Sequence, residues 1–277
     1  MQSVMLPSGE SVPALGLGTW CMGDVASQRA EEIATIQLAL DSGVRVIDTA
    51  EMYGEGLSES LIGEAIAGRR QDCFLVSKVY PHNASRRGAV QACERSLKRL
   101  DTDCIDLYLL HWRGNVPLEE TLEAFLALQG AGKIRHFGVS NFDTDDLAEW
   151  CELDEGTAVA ANQVLYNLTR RGIERDLLPW MREMEVPLMA YSPIEQGRLL
   201  NDRKLIGFAQ QHGLTPAQAA LGWLLHNEDV LVIPKTGNRA RLKDNLQALQ
   251  RPLSAEQVAE LDTLFPAPKG RVPLQML

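Results

Sequence analysis

The feature that most constrains this 277-residue chain is a rhythm, in which short apolar runs alternate with stripes of helical spacing almost from end to end. The runs are Leu15–Gly18, Val44–Asp48, Cys73–Lys78, Ile105–Leu110, Ile134–Ser140, Ala158–Val164, Val186–Tyr191 and Val230–Ile233. Several are nearly continuous apolar segments, which suits strands covered on both faces. The spacing predicts a first helix capped by Ser27, with Ile33, Ile36 and Leu40 on one face and Gly43 as its stop. Further helices are predicted over Ser58–Ala67, from Ser85 to Leu100, and from Pro117 to about Ala131. Others follow from Asp143 to about Cys151 and over Ile173–Met184, Arg203–His212, Pro216–His226 and Arg239–Leu249. Ser254-Ala-Glu-Gln257 is a capping box that opens one extra C-terminal helix. At the other end, Val4-Met-Leu, Pro7-Ser-Gly9 and Ser11-Val-Pro read as a β-hairpin.

Eight β/α units in roughly 250 residues predict an α/β fold, the closed parallel (β/α)8 TIM barrel. An open doubly wound sheet is the alternative. It should carry a G-x-G-x-x-G turn that opens a helix after an early strand, and Gly16-Leu-Gly18 opens none. With no linker and no low-complexity stretch, residues 1–277 are expected to form one domain.

Charge narrows the function classes. Acidic residues outnumber basic ones 37 to 27, a net charge of −10, so a phosphate backbone would be repelled over most of the surface. No nucleic-acid partner is expected. The five cysteines are widely spaced and form no C-x-x-C, as free thiols of a reducing cytosol would be. The five histidines form no H-x-H or H-E-x-x-H pattern, and no metal is expected. The N-terminal residues lack the charged-then-apolar pattern of a signal peptide, and no apolar run is long enough for a membrane span. A cytoplasmic protein with no membrane partner is the expectation.

Three of the runs end in residues that carry chemistry. Val44-Arg-Val-Ile-Asp48 leads into a turn holding Tyr53, Phe74-Leu-Val-Ser ends at Lys78, and Ile105-Asp-Leu-Tyr-Leu-Leu is followed by His111. If the three strands are neighbours in one parallel sheet, Asp48, Tyr53, Lys78 and His111 meet at its C-terminal edge, where barrels carry their active sites. Singly, each residue has an ordinary structural reading: a cap, half-buried packing, an ion-pair partner, a satisfied core histidine. Jointly they suit one task. A phenol with a pKa of about 10 is a poor acid, a nearby ammonium stabilises its phenolate and lowers that pKa, a carboxylate holds the ammonium, and a neutral imidazole donates to a substrate oxygen. That set fits a carbonyl that gains a hydride at carbon and a proton at oxygen.

Motifs along nearly the whole chain carry a resemblance. Gly16-Leu-Gly-Thr-Trp20, Asp48-Thr-Ala-Glu-Met-Tyr-Gly54, Ser77-Lys78, Leu109-Leu-His-Trp112, Gly138-Val-Ser-Asn-Phe142, Asn162-Gln163, Ala190-Tyr-Ser-Pro193 and Ile233-Pro-Lys-Thr236 occur in this order. The chain thereby resembles the aldo-keto reductase family, and most of all its bacterial branch that reduces 2-oxoaldehydes such as methylglyoxal. The resemblance implies an NADPH-dependent reductase of aldehydes and reactive ketones. Tyr53 would be the general acid, Lys78 and Asp48 would tune it, and His111 would orient the carbonyl. It implies a dinucleotide extended across the barrel mouth. Ser140, Asn141 and Gln163 would hold its carboxamide and Tyr191 would stack on the nicotinamide. Ser192 and Ile194 would meet the pyrophosphate, and Lys235, Thr236, Arg241 and Asn245 the adenosine end. Two cations near the 2′-phosphate favour NADPH over NADH. Asn238 stands where many relatives carry a cation or hydroxyl.

The connection after His111 and the tail after Phe265 are short, so a comparatively open mouth is expected, with Trp20, Tyr80 and Trp112 as apolar walls and a small carbonyl compound as substrate. With no long exposed apolar stripe, a monomer is expected. Two other readings stand beside this one. A barrel lysine such as Lys78 could form a Schiff base in a lyase, or a bound dinucleotide could report redox state to a partner without turnover.

Overall fold

The structure is a computed structural model that describes residues 2–277. It opens with Ser3–Met5 (β1) and Ser11–Pro13 (β2), antiparallel with Val4 opposite Val12. Their turn needs a left-handed residue and has Gly9 there at φ 82°. Val4, Leu6 and Val12 are buried, so the hairpin lays an apolar face on the barrel floor.

The barrel strands are Leu17–Gly18 (β3), Val46–Asp48 (β4), Phe74–Val79 (β5), Ile105–Leu110 (β6), Ile134–Ser140 (β7), Asn162–Leu165 (β8), Leu188–Tyr191 (β9) and Val230–Val232 (β10). All eight are parallel and hydrogen-bonded in chain order. Leu15 bridges Val232 and Gly18 bridges Lys235, which joins the first strand to the last and closes the barrel. Every residue of β5 and β6 is buried, as strands sandwiched between core and helices must be.

Outside the sheet run Arg29–Asp41 (α1), Leu57–Ala65 (α2), Arg86–Leu100 (α3), Leu118–Gly130 (α4), Thr144–Cys151 (α5) and Leu177–Glu183 (α6). Arg203–Gln211 (α7) and Pro216–Leu225 (α8) lie between β9 and β10, followed by Arg239–Gln250 (α9) and the extra Ala255–Leu264 (α10). Caps explain most of the starts. Ser85 accepts from Gly88 N, and Asp143, Thr215 and Ser254 each form a full capping box.

Some boundaries differ from expectation. Ser27 caps nothing, because a 3-10 turn over Ala26–Gln28 precedes α1 and its first residues are held by tertiary contacts. The sixth run becomes a regular strand only at Asn162, because a 3-10 turn over Gly156–Ala158 comes first, although Ala160 N already donates to Phe137 O at 2.8 Å. The helix predicted over Ile173–Met184 is broken at Asp176, whose φ of −146° ends a 3-10 turn and whose side chain caps α6. Residues 266–277 form no regular element, yet they run back along the barrel top. Arg175 donates to Pro268 O, Arg271 pairs with Asp176 at 2.5 Å, and Leu277 N approaches the Tyr191 hydroxyl at 3.4 Å. The tail is short, but it reaches the mouth instead of leaving that side bare.

Candidate active site

Parallel pairing in chain order places the ends of β4, β5 and β6 side by side, and this brings the four chemistry-bearing residues together. The Lys78 side chain is fully buried, and an ammonium there requires acceptors. Its Nζ donates to Asp48 Oδ1 at 2.9 Å, to Thr49 O at 2.7 Å and to the Tyr53 hydroxyl at 3.2 Å. Asp48 is equally buried, and its second oxygen accepts from Gln163 Nε2 at 2.7 Å. The His111 ring stands edge-on to the Tyr53 ring, with centroids 6.0 Å apart. Behind them a buried hydroxyl chain fixes the backbone: Ser58 donates to Thr19 Oγ1 at 2.8 Å, Thr49 to Ser58 at 3.1 Å, and Thr19 to Asp48 O at 2.8 Å.

Burial and charge set the protonation states. Burial, reinforced by the Lys78 charge, drives the His111 pKa down to about 2, so the imidazole is neutral at any physiological pH. Its Nδ1 is buried with no protein partner. Burial also lowers Lys78, while the Asp48 carboxylate opposes that shift. One expectation is corrected here. Burial, helped by the Asp48 charge, holds the Tyr53 phenol well above its ordinary range, and the neighbouring ammonium does not bring it down. Lys78 lies closer to Asp48 and Thr49 O than to the phenol, so most of its charge is already compensated.

Ser140, Asn141 and Gln163 lie on the same rim and hold one another. Ser140 Oγ donates to Gln163 O, and Asn141 Nδ2 to His111 O. The Tyr191 hydroxyl donates to Asn141 Oδ1 at 3.0 Å, which ties the half-buried ring to this amide cluster. Asn141 and Ser192 both have positive φ, 56° and 47°, which bends the loops after β7 and β9 toward the mouth. Ile194 is half-buried in the second of these loops. The adenosine-end candidates gather around the start of α9. Thr236 and Asn245 are buried, and Asn238 is the N-cap, accepting from Arg241 N at 3.0 Å. Lys235 and Arg241 are exposed, and neither forms a salt bridge among the described residues. Two uncommitted cations beside a capped helix start suit a phosphate.

Tyr80 and Trp112 meet edge to face with centroids 5.8 Å apart, and His111 lies beside Trp112 at 4.9 Å. Trp20 is exposed on a separate loop and joins no aromatic pair among the described residues. Sequence reasoning missed four participants. His82 packs at a tilt against Tyr80, with ring centroids 4.6 Å apart. Glu51 is buried and accepts from Tyr80 N at 2.9 Å and Asn83 Nδ2 at 3.0 Å, fixing the loop that carries Tyr80. Glu59 is buried behind Lys78, accepting from Ser77 Oγ and Arg99 Nε, both at 2.6 Å. Glu195 is buried in the loop after β9. A carboxylate beside a strand end was the only available signal, and only Glu51 carried it.

Fold and site together define an α/β-barrel protein with a buried amine, carboxylate and imidazole and a half-buried phenol at the C-terminal rim. The chain belongs to the Aldo/keto reductase family, whose profile matches residues 14–265. It is 47% identical to the methylglyoxal reductase YeaE of Escherichia coli (strain K12), with 100% of both chains covered. An aldo/keto reductase of Klebsiella pneumoniae, solved in complex with NADP and acetate, superposes with a TM-score of 0.96 at 46% identity, covering 100% of this chain and 99% of that one. The thermostable aldo-keto reductase Tm1743, solved with the inhibitor epalrestat, gives 0.88 at 42% identity, covering 95% of this chain and 100% of the other.

Proposed function

We propose that the protein reduces aldehydes and reactive ketones, 2-oxoaldehydes such as methylglyoxal among them, with NADPH. The observation that carries this is the Lys78 ammonium, shared between Asp48 and the Tyr53 hydroxyl next to a neutral His111. When bound, NADPH supplies the hydride for the carbonyl carbon. Tyr53 gives its proton to the carbonyl oxygen. A raised pKa does not disqualify the phenol as donor, because the alkoxide that develops on the carbonyl oxygen is a much stronger base than an ordinary phenolate. The nascent phenolate meets the Lys78 ammonium, and Asp48 keeps that ammonium in place until the phenol regains a proton from solvent. His111, uncharged, donates an N–H to the carbonyl oxygen and fixes which face it presents.

Ser140, Asn141 and Gln163 would hold the carboxamide, and Tyr191 would form the platform under the ring. Ser192 and Ile194 would meet the pyrophosphate, Thr236 and Asn245 the adenosine, and Lys235 and Arg241 the 2′-phosphate. Tyr80 and Trp112 would wall the substrate side, with Trp20 at the outer lip. The same reading takes the chain as a single-domain cytoplasmic monomer. No helix of the described residues is long and apolar enough to cross a membrane.

The Schiff-base alternative needs a lone pair on Lys78. The Asp48 carboxylate and two further acceptors surround Nζ and favour its charged form, which has no lone pair to attack with. The test is Tyr53→Phe, assayed by loss of NADPH absorbance with methylglyoxal. NADPH binding should persist while turnover falls by about 10²–10⁴-fold, the usual worth of a positioned acid. Activity close to that of the wild type would refute the assignment.

A further inference from the structure

The loop after β9 contains four left-handed residues within six positions, Ser192, Glu195, Gln196 and Gly197, and only the last is a glycine. Such backbone persists only where the surroundings over-determine it. The determinant is a buried carboxylate with no part in the proton chemistry. Glu195 is 6% exposed. Its Oε1 accepts from Arg170 Nη2 at 2.7 Å, Arg170 Nε at 3.0 Å and Arg198 Nη2 at 3.2 Å, and its Oε2 from Asn167 Nδ2 at 2.7 Å. The same Asn167 amide donates to Ser192 O at 2.9 Å. Asn167 is itself fully buried, and its Oδ1 accepts from Thr169 N and Oγ1. The turn after β8 is thus bolted to both ends of the bent segment. Burial pushes the Glu195 carboxyl up, but the Arg170 and Asn167 hydrogen bonds and the two guanidinium charges hold it below the usual range.

Resting on the cofactor placement proposed above, we propose that Glu195 is a positioning residue for the dinucleotide. Its cage with Asn167, Arg170 and Arg198 holds the Ser192–Ile194 backbone in the one shape that meets a pyrophosphate. Two guanidiniums against one carboxylate leave the cage with a net positive charge, so a buried anion can sit beside the loop without repelling another anion. A positioning role makes a distinctive prediction. NADPH and NADH share the pyrophosphate and should suffer equally when the cage is opened. A ligand that carries only the adenosine end should not notice.

The experiment titrates NADPH, NADH and 2′-AMP against the full chain by quenching of tryptophan fluorescence. Glu195→Gln should raise the Kd of both dinucleotides by the same factor, about tenfold or more, as small misplacements of a binding group do. The Kd of 2′-AMP should stay within about twofold, which general misfolding would not allow. Arg170→Gln should give the same pattern, and the double variant should be no worse than either single one, since all three open one cage. If Glu195→Gln does not fold, Arg170→Gln alone decides. Unchanged or tighter dinucleotide binding would overturn the proposal, and so would additive losses or an equal loss of 2′-AMP. A wild-type chain that binds neither dinucleotide would sink the cofactor placement itself. Wild-type binding with unaffected variants would sink only the role of Glu195.

Discussion

Asp48→Asn isolates the charge at the centre of the site. The substitution keeps the shape of the side chain and removes the partner of a fully buried ammonium 2.9 Å away. At an effective dielectric of about 20 this contact contributes about 6 kcal/mol of Coulomb attraction. Two routes limit the damage. The lysine can stay charged and unpaired, which typically costs about 3–5 kcal/mol when one partner of a buried pair is removed. It can instead give up its proton, which at pH 7 costs about 4.6 kcal/mol for a lysine of ordinary pKa. Both routes predict a loss of about 3–5 kcal/mol in urea unfolding at pH 7. The second adds a signature. A lysine held neutral in the folded variant but charged when unfolded makes the unfolded state bind more protons, so stability rises with pH. The deficit against the wild type should therefore shrink by up to about 1.4 kcal/mol per pH unit from pH 7 toward pH 9. Turnover should fall in parallel, because the phenolate loses its counter-charge. A variant within about 1 kcal/mol of the wild type at pH 7 would refute the claim that a charged pair sits here.

Other consequences separate the two ends of the barrel. Lys235→Ala and Arg241→Ala should each weaken NADPH binding about tenfold or more while leaving NADH nearly unchanged, since in the proposed placement only the 2′-phosphate would gain charge-assisted bonds there; equal losses in a fluorescence titration would remove the selectivity argument. With His111 driven down to about 2 and Tyr53 held well above 10, kcat/KM for reduction should be flat from about pH 5.5 to 8.5. An inflection near pH 6.5 that vanishes in His111→Gln would show that the imidazole titrates after all. On the opposite face, Asp106 accepts from Arg70 at 2.6 Å, Arg135 at 2.9 Å and Leu75 N at 2.7 Å, and is buried. Asp106→Ala should cost about 3–5 kcal/mol of stability, yet leave kcat per folded molecule unaltered.

What could be read from the sequence was whatever depends on chain order or local spacing. In a closed parallel barrel consecutive strands pair in chain order, so once the barrel was read, Lys78 at one strand end and His111 at the next were expected to be neighbours. The Ser254 capping box was legible because all its atoms lie within four residues. The first helix shows the limit of such local reasoning. Ser27 has the right chemistry, but Glu31 and Glu32 are drawn to Arg239 and Gly23 N, and those distant partners set where α1 begins. Partnerships between carboxylates and distant arginines left no trace of any kind. Glu59 and Arg99 are 40 positions apart, Glu195 and Arg170 are 25 apart, and nothing in their local patterns distinguishes them from solvated charges.

The same distinction explains why the proton states were harder to foresee than the positions. That Lys78 lies against Tyr53 follows from topology. Whether it lowers the phenol depends on how its charge is divided, and the nearer acceptors, Asp48 and the Thr49 carbonyl, decide that. A phenol kept protonated by burial until a basic oxygen arrives is a better reserve of protons than one already half-ionised. In the proposed mechanism the ammonium would act only when negative charge appears on the phenol, so its stabilisation would fall on the transition state and not on the resting enzyme.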